Sequence, residues 1–156
     1  MVCIRVANAS DIAALVPLIN TTFAIETFLE GARTSAEHLA QTMQTGDLLI
    51  AEDESGSVAA CVSVSAKEPE GYFGMLAVDP RRQGAGLGRV MVQAAEDYLR
   101  NRACPEVRID VLSLRTDLPP FYRRLGYVEA GTRPAPLVRR LKPGFECHSI
   151  VMSKML

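Results

Sequence analysis

The stretch Met75-Leu-Ala-Val-Asp-Pro-Arg-Arg-Gln-Gly-Ala-Gly-Leu-Gly-Arg89 decides the fold of this chain. It begins as an apolar strand, turns at Asp79-Pro80, and passes through basic residues into alternating glycines. The segment that follows has apolar residues at the i, i+3, i+4, i+7 spacing of a helix with one buried face. These residues are Leu87, Val90, Met91, Ala94, Ala95, Tyr98 and Leu99. The glycines therefore lie where a strand passes into a helix N-terminus.

Such a junction is suited to a phosphate or pyrophosphate. The first N–H groups of a helix have no partner within the helix, and the helix dipole makes that end positive. Glycine lets a ligand approach the backbone because it has no Cβ atom. Further donors or positive charge come from Arg81, Arg82, Gln83 and Arg89. We therefore predict an anion site at this helix N-terminus.

The spacing of the glycines distinguishes between phosphate-binding motifs. A Walker loop requires a Lys-Ser or Lys-Thr pair, and none follows these glycines. The dinucleotide motif Gly-x-Gly-x-x-Gly would need glycine at Arg89 or at Met91. What fits is Gln83-x-x-Gly86-x-Gly88 directly after an apolar strand and an Asp-Pro turn. This resembles the acetyl-CoA-binding motif of the GCN5-related N-acetyltransferases, the GNAT superfamily.

The resemblance implies a cofactor site for acetyl-CoA. In that family the motif's amides bind the CoA pyrophosphate and the preceding strand binds the pantetheine. The residues expected to bind the cofactor here are Leu76, Ala77, Val78, Gln83, Gly84, Ala85, Gly86, Leu87, Gly88 and Arg89. From the residues alone, a glycine-rich turn that only lets helix and strand pack closely is the alternative.

Composition bounds the class of protein. A chain of 156 residues with 48% hydrophobic and 22% charged residues predicts one globular domain over 1–156. A formal net charge of −1 gives no reason to expect nucleic acid or an anionic membrane as partner. No apolar run approaches a membrane span, no signal peptide follows Met1, and no Cys-x-x-Cys pair occurs. We expect a cytoplasmic protein without a metal, and a homodimer is left open.

The predicted order of elements is β-α-α-β-β-β-α-β-α-β-β. Pro17 should kink or interrupt the first helix, and Thr34-x-x-Glu37 has the form of a capping box for the second. Tyr72–Val78 is nearly all apolar, as in a central strand, and should be parallel to the strand around Ile109. Thr132–Gly144 contains three prolines and is expected to be a long loop. This order also matches the GNAT fold, an α+β fold with a mixed β-sheet flanked by helices.

A second signature strengthens the resemblance. GNAT proteins carry a short helix ending in Phe-Tyr-x-x-x-Gly-aromatic, and this chain has Phe121-Tyr-Arg-Arg-Leu-Gly-Tyr127. By position Tyr122 matches the family's tyrosine acid, which protonates the departing CoA thiolate. A phenol is neutral at pH 7 and can donate a proton. The alternative is a core aromatic residue with a polar tip.

The general base is not identified by the sequence. An amine must lose its proton before it attacks, and many relatives use a glutamate where this chain has Tyr72. The carboxylates that could replace it are Glu26, Glu30, Glu68, Glu70 and Asp110. Each also fits an ordinary solvated position, and proton loss to water is an equal alternative. His38 and His148 are expected to be structural.

Arg115 is a second departure from the family pattern. Many relatives have an asparagine there that contacts the pantetheine arm, whereas arginine could meet a phosphate of the cofactor or an acidic acceptor.

The sequence thus predicts an acetyl-CoA-dependent N-acetyltransferase that moves an acetyl group to a primary amine by direct attack. The alternatives are a non-catalytic acyl-CoA-binding or sensor module and, less favoured, another nucleotide-binding protein. The acceptor is expected to be a small-molecule or peptide amine bound beside Thr21–Arg33 and Thr132–Gly144. Glu26 and Glu30 in the first of these segments could attract a cationic amine.

Overall fold

The computed structural model describes residues 1–67 and 70–156. Its helices and strands follow the predicted order. They are β1 (Val2–Val6), α1 (Ile12–Phe23), α2 (Ala36–Thr45), β2 (Asp47–Asp53), β3 (Val58–Lys67), β4 (Glu70–Val78), α3 (Leu87–Arg100), β5 (Glu106–Leu112), α4 (Leu118–Arg124), β6 (Val128–Pro134) and β7 (His148–Met155). Short 3-10 turns lie at Ala9–Asp11 and Pro80–Arg82.

The seven strands form one mixed sheet in the order β1-β2-β3-β4-β5-β7-β6. All neighbouring strands are antiparallel except β4 and β5, which are parallel as predicted and are joined through α3. Helices cover both faces, so the sheet has two cores. On one face α3 and α4 pack over Phe73, and on the other α1 and α2 pack over Ile50. The predicted α+β class with a central mixed sheet is therefore confirmed.

A break in β4 positions the functional site. The β3–β4 ladder pairs Cys61 with Ala77 and Ser63 with Gly74, so two residues of β4 oppose one of β3. This is a β-bulge, and Met75 within it has a φ of 51°, which a residue with a side chain rarely adopts. On the other edge, β4 pairs with β5 only up to Tyr72. From Phe73 onward the two strands separate, and a cleft opens between them.

Several predicted boundaries are wrong in detail. Helix α1 continues through Pro17 to Phe23, so the proline does not end the helix. The cap of α2 is Ser35, whose hydroxyl accepts from the His38 amide, because the helix begins one residue later than expected. The segment Thr132–Gly144 is not entirely a loop, since β6 extends to Pro134.

Among residues 1–67 and 70–156, no helix is both long and apolar enough to cross a membrane.

Candidate active site

The glycine-rich turn presents a row of backbone donors. Helix α3 begins at Leu87, and its first internal bond runs from the Val90 amide to the Gly86 carbonyl at 3.1 Å. Within the described ranges, the amides of residues 83–89 donate to no protein acceptor. These are the unsatisfied N–H groups of a helix N-terminus together with those of the turn before it. They form a cradle for an anion, as predicted.

The glycines of the turn have two different roles. Gly84 and Gly86 have φ values of 90° and 82°, and a Cβ atom at either would meet no protein atom within 4 Å. They therefore shape the turn and face outward, where a ligand can approach. A Cβ at Gly88 would lie 3.4 Å from Cζ of Phe121 and 4.0 Å from Cγ2 of Val78. Gly88 thus lets the start of α3 lie close to β4 and α4, so the packing alternative holds for this glycine.

The side chains around the turn are more engaged than the sequence suggested. Arg81 pairs with Asp79 at 2.9 Å, and Arg82 pairs with Asp53. Their charges are therefore partly neutralised before any ligand binds. Gln83 donates through Nε2 to the Val78 carbonyl at 3.3 Å, which ties the turn to the end of β4. Arg89 is exposed and makes no ion pair with any residue that the structure describes.

The gap between β4 and β5 forms a cleft of about 150 Å³. Leu76 and the other bulge residues line one wall, and Leu112 at the end of β5 lines the opposite wall. Because β5 does not pair with β4 beyond Tyr72, the backbone polar groups on that edge are available to a ligand. Of the predicted cofactor residues on β4, Leu76 lines the cleft, whereas Ala77 is buried in the core and Val78 ends the strand before the glycine-rich turn.

Tyr122 of α4 borders the same cleft. Its ring packs against Phe121, Tyr127 and Phe73, with centroids 5.0, 5.7 and 6.1 Å away. Its hydroxyl has no hydrogen-bond partner among the described residues, yet that oxygen is not sealed from the cleft. Burial raises the pKa of Tyr122 above its ordinary value, an effect that the nearby positive charge of Arg115 opposes. The phenol is therefore neutral, and Tyr122 lines the cleft.

The two loops predicted to flank the acceptor close over the cleft together. Leu29 and Leu141 form a β-bridge, and the Glu30 amide donates to the Arg140 carbonyl at 2.8 Å. The rings of Phe28 and Phe145 pack beside this bridge at 6.4 Å. The loops before α2 and after β6 thus act as one roof. Residues of both segments line the cleft, and the binding of an acceptor beside them stays a prediction.

Glu26 lies under that roof but is not free to attract an amine. Its side chain is 4% exposed, accepts from Arg115 Nη1 at 2.8 Å, and also pairs with Arg139. Arg115 in turn binds Asp117, with Nη2 to Oδ2 at 3.0 Å. Arg115 is therefore committed to two carboxylates instead of to a phosphate of the cofactor. Burial lowers the pKa of Arg115, but the hydrogen bonds that it donates to the carboxylates of Asp117 and Glu26 outweigh this and raise the pKa overall.

No described carboxylate is placed as a ready general base. Asp110 lines the cleft, but its carboxylate accepts from Arg133 Nε at 2.8 Å and Ser149 Oγ at 2.5 Å. Burial alone raises the pKa of Asp110, and these hydrogen bonds outweigh it, so the pKa falls below the usual range. Glu70 is exposed and lies 3.5 Å from Arg108, outside the cleft. Glu30 is also exposed and does not line the cleft.

The other candidates that the structure describes do not supply a base either. Glu68 lies outside the described residues. Burial raises the pKa of the Tyr72 hydroxyl, which occupies the position of the family's glutamate, so this group is neutral. His38 bonds Thr34 at 2.8 Å and His148 is exposed on β7, which fits their predicted structural roles. Burial raises the pKa of the Cys61 thiol to about 12, which makes it an inert core residue.

Sequence reasoning did not single out Arg33, Arg139 and Met75. The two arginines come from separate loops and reach the cleft only because the loops pair. The positive φ of Met75 follows from strand register, for which the apolar run in β4 carries no signal. Among the described residues, no group of three or more His, Cys, Asp or Glu side chains is placed to hold a metal ion.

The fold and the site define an acyltransferase of the GNAT type. The model of the acetyltransferase (GNAT) family matches residues 16–127, and the chain therefore belongs to this family.

Individual relatives agree with that assignment. A mycothiol acetyltransferase of Acidothermus cellulolyticus is 38% identical over 65 residues, which covers 42% of this chain but only 20% of that protein. The ribosomal-protein-S18-alanine N-acetyltransferase of Escherichia coli is 21% identical, with a TM-score of 0.77 over 98% of this chain and 92% of that one. A putative acetyltransferase of Salmonella typhimurium, solved with its cofactor acetyl-CoA, is 19% identical, with a TM-score of 0.75 over 99% and 94%. These structural likenesses support the fold.

Proposed function

We propose that this protein is an acetyl-CoA-dependent N-acetyltransferase that acetylates a small primary amine by direct attack. One observation carries the proposal. The free amides of residues 83–89 follow directly after strand β4, and the bulge of β4 and Tyr122 line the same roofed cleft. The family, and a structural neighbour solved with acetyl-CoA, support the same cofactor.

The residues fit the cofactor in two places. Backbone amides at a helix N-terminus suit the pyrophosphate, and Gly84 and Gly86 leave the space above them clear. The edge of β4 beyond Tyr72 offers backbone groups to an extended, amide-containing arm such as pantetheine. When bound, acetyl-CoA supplies an activated acetyl group, so the protein needs no nucleophile of its own. Amides near the bulge at Leu76 are then the donors for the thioester oxygen.

Tyr122 serves best as a hydrogen-bond donor to the thiolate. The phenol keeps its proton because burial raises its pKa. A thiol is a stronger acid than such a phenol, so complete proton transfer to the thiolate is uphill. A hydrogen bond from the hydroxyl stabilises the charge as it develops and leaves the proton available for later transfer. The packed ring of Phe121 beside Tyr122 fixes the direction of that bond.

The amine loses its proton to water. The described carboxylates around the cleft are already bound by arginines, and Tyr72 is neutral. The positive charge of Arg33 contributes instead, because Arg115 and Arg139, which also line the cleft, are already paired with Glu26. Like charge disfavours an ammonium and lowers the pKa of a bound amine. The cleft therefore favours the neutral, nucleophilic form without a dedicated base.

Thiol release tests the proposal. Purified protein is mixed with acetyl-CoA and panels of amino acids, polyamines, aminoglycosides and short peptides, and the appearance of CoA is followed. We expect one class of small amine to be acetylated. The alternative, a non-catalytic acyl-CoA-binding module, would bind acetyl-CoA in calorimetry without turnover on any amine. Acetylation of an intact protein only, with no small amine or peptide accepted, would contradict the small acceptor.

A further inference from the structure

Arg33 stands apart from the other charged groups of the cleft. It lies in the loop between α1 and α2, and its Cζ sits 5.2 Å from the ring centroid of Phe23. The Arg33 side chain lines the cleft between β4 and β5 and also the adjoining depression beneath the roof. It therefore faces the space where an acceptor must lie if the proposed function holds.

Its guanidinium has an unsatisfied donor. The Nη1 atom is fully buried, and within residues 1–67 and 70–156 it has no hydrogen-bond partner. A guanidinium cannot shed its proton to relieve this, and a buried charged donor without a partner is costly. Burial, together with the like charge of Arg139, lowers the pKa of Arg33, so its surroundings oppose the charge.

Among residues 1–67 and 70–156, no nearby carboxylate is free to pair with Arg33. The negative charge of Glu26 raises the pKa of Arg33 and so favours its charged form. Both carboxylate oxygens of Glu26, however, already accept hydrogen bonds from Arg115 and Arg139. Asp110, across the cleft, is bound by Arg133 and Ser149. Tyr72 faces Arg33 as a neutral phenol. The cleft therefore contains one more arginine than its described anions can pair with.

We propose that the amine acceptor also bears a carboxylate, and that this carboxylate binds Arg33. The planar fork of a guanidinium matches a carboxylate in bidentate fashion, and the Nε–Nη2 edge is the side open to it, because only Nη1 of Arg33 is sealed inside the protein. With its carboxylate at Arg33 beneath the roof, such a molecule directs its amine toward the bulge of β4. This inference deepens the proposed function and replaces the expectation of a purely cationic acceptor drawn in by Glu26.

The test compares acceptors that differ only in the anion. Free amino acids are compared with their amides and with the corresponding decarboxylated amines in the thiol-release assay. We expect the acid to exceed the amide in kcat/KM by about 10- to 100-fold, the range for a hydrogen bond to a charged group. Arg33→Gln should abolish this preference mainly through KM. Arg33→Lys, which keeps the charge without the fork, should retain part of it.

Arg102→Gln is the matched control. Arg102 also lies over an aromatic ring, with its Cζ 3.4 Å from the centroid of Tyr98, but it does not line the cleft. This variant should keep the full preference. Thermal unfolding of Arg33→Gln should be close to that of the wild type, because the Nη1 atom that it removes has no partner to lose. Equal rates for acid and amide in the wild type, or an unchanged preference in Arg33→Gln, would overturn the proposal.

A binding measurement separates this proposal from the proposed function. N-acetylated amino acids and their amides are titrated against the CoA-bound protein by ligand-observed NMR. Binding of the acids through Arg33 with no turnover on any amine would refute the enzyme and retain the carboxylate site. Acetylation of amines together with equal binding of acids and amides would retain the enzyme and refute the carboxylate site. Turnover confined to phosphorylated amines would also contradict a carboxylate.

Discussion

Replacing Glu26 by glutamine tests whether the roof is held by a buried ion-pair cluster. Glu26 joins two loops to the end of β5, because Arg139 follows β6 and Arg115 follows β5. Glutamine keeps the shape but removes the charge. Arg115 would retain Asp117, whereas Arg139 would lose the carboxylate partner that it has among the described residues. The cost therefore falls mainly on Arg139, whose side chain is only 7% exposed.

The expected loss of stability follows from this difference between Arg115 and Arg139. Removing one partner of a buried pair typically costs about 3–5 kcal/mol. Since Arg115 keeps one partner, we expect Glu26→Gln to lower the free energy of unfolding by about 3 kcal/mol, the lower end of that range. For a chain of this length the loss corresponds to a fall in Tm of about 6–12 °C. Glu129→Gln is the control, because Glu129 and Arg123 form an exposed pair worth at most about 1 kcal/mol.

Chemical and thermal unfolding of four proteins measure the effect: the wild type, Glu26→Gln, Arg139→Gln and the double variant. The double variant should be more stable than the sum of the single losses predicts, with a coupling energy of at least about 1 kcal/mol. If Glu26→Gln is no less stable than Glu129→Gln, or if the two losses simply add, the cluster does not hold the roof. In that case acceptor specificity would need another explanation as well.

Three further outcomes are expected. Gly86→Glu should abolish acetyl-CoA binding in calorimetry, and because Gly86 has a φ of 82°, a side chain there also destabilises the fold by about 1–2 kcal/mol. Gly86→Asn should fold normally, because asparagine tolerates this conformation. Wild-type affinity in Gly86→Glu would contradict the proposed position of the cofactor. Tyr122→Phe should lower kcat by roughly 10- to 1000-fold without changing the affinity for acetyl-CoA. Its stability should also be unchanged, because the hydroxyl has no hydrogen-bond partner among the described residues. An unchanged kcat would mean that Tyr122 serves only in packing. The pKa of Asp110 is held below its unfolded value, so its stabilisation is present above about pH 4 and is lost as pH falls through the folded pKa. Asp110→Asn should therefore be less stable than the wild type at pH 6 and lose less stability between pH 6 and pH 3, and parallel losses measured by urea unfolding would contradict this.

The glycine-rich part of the candidate site is predictable because it is local in sequence. The strand and the helix between Met75 and Arg100 each carry their own periodic pattern, and the groups proposed to bind the cofactor are mostly backbone amides. A backbone donor needs only the right secondary structure and the absence of a side chain, both of which Gly84 and Gly86 indicate. The same locality explains why the parallel pairing of β4 and β5 could be expected.

The bulge at Met75 could not be predicted, because it is not a local feature of the sequence. Its strand reads as an even apolar run, and the extra residue appears only when the register with β3 is counted on both sides. The site needs that irregularity, since it accompanies the separation of β4 from β5 that opens the cleft. Functional irregularities of this kind depend on neighbours distant in sequence, so a local pattern carries no trace of them.

The acceptor half is built from residues that only tertiary structure brings together. Glu26 and Arg139 are more than a hundred positions apart, and their pairing depends on the bridge between Leu29 and Leu141. The sequence placed Glu26 correctly beside the cleft but suggested a negative site, because it gave no means to see the two arginines that neutralise it. When Arg115 and Arg139 are paired with Glu26, the charge that remains unpaired is the positive charge of Arg33. This side of the cleft therefore depends on how the two loops meet, so substitutions in the roof can change it while the glycine-rich turn stays intact.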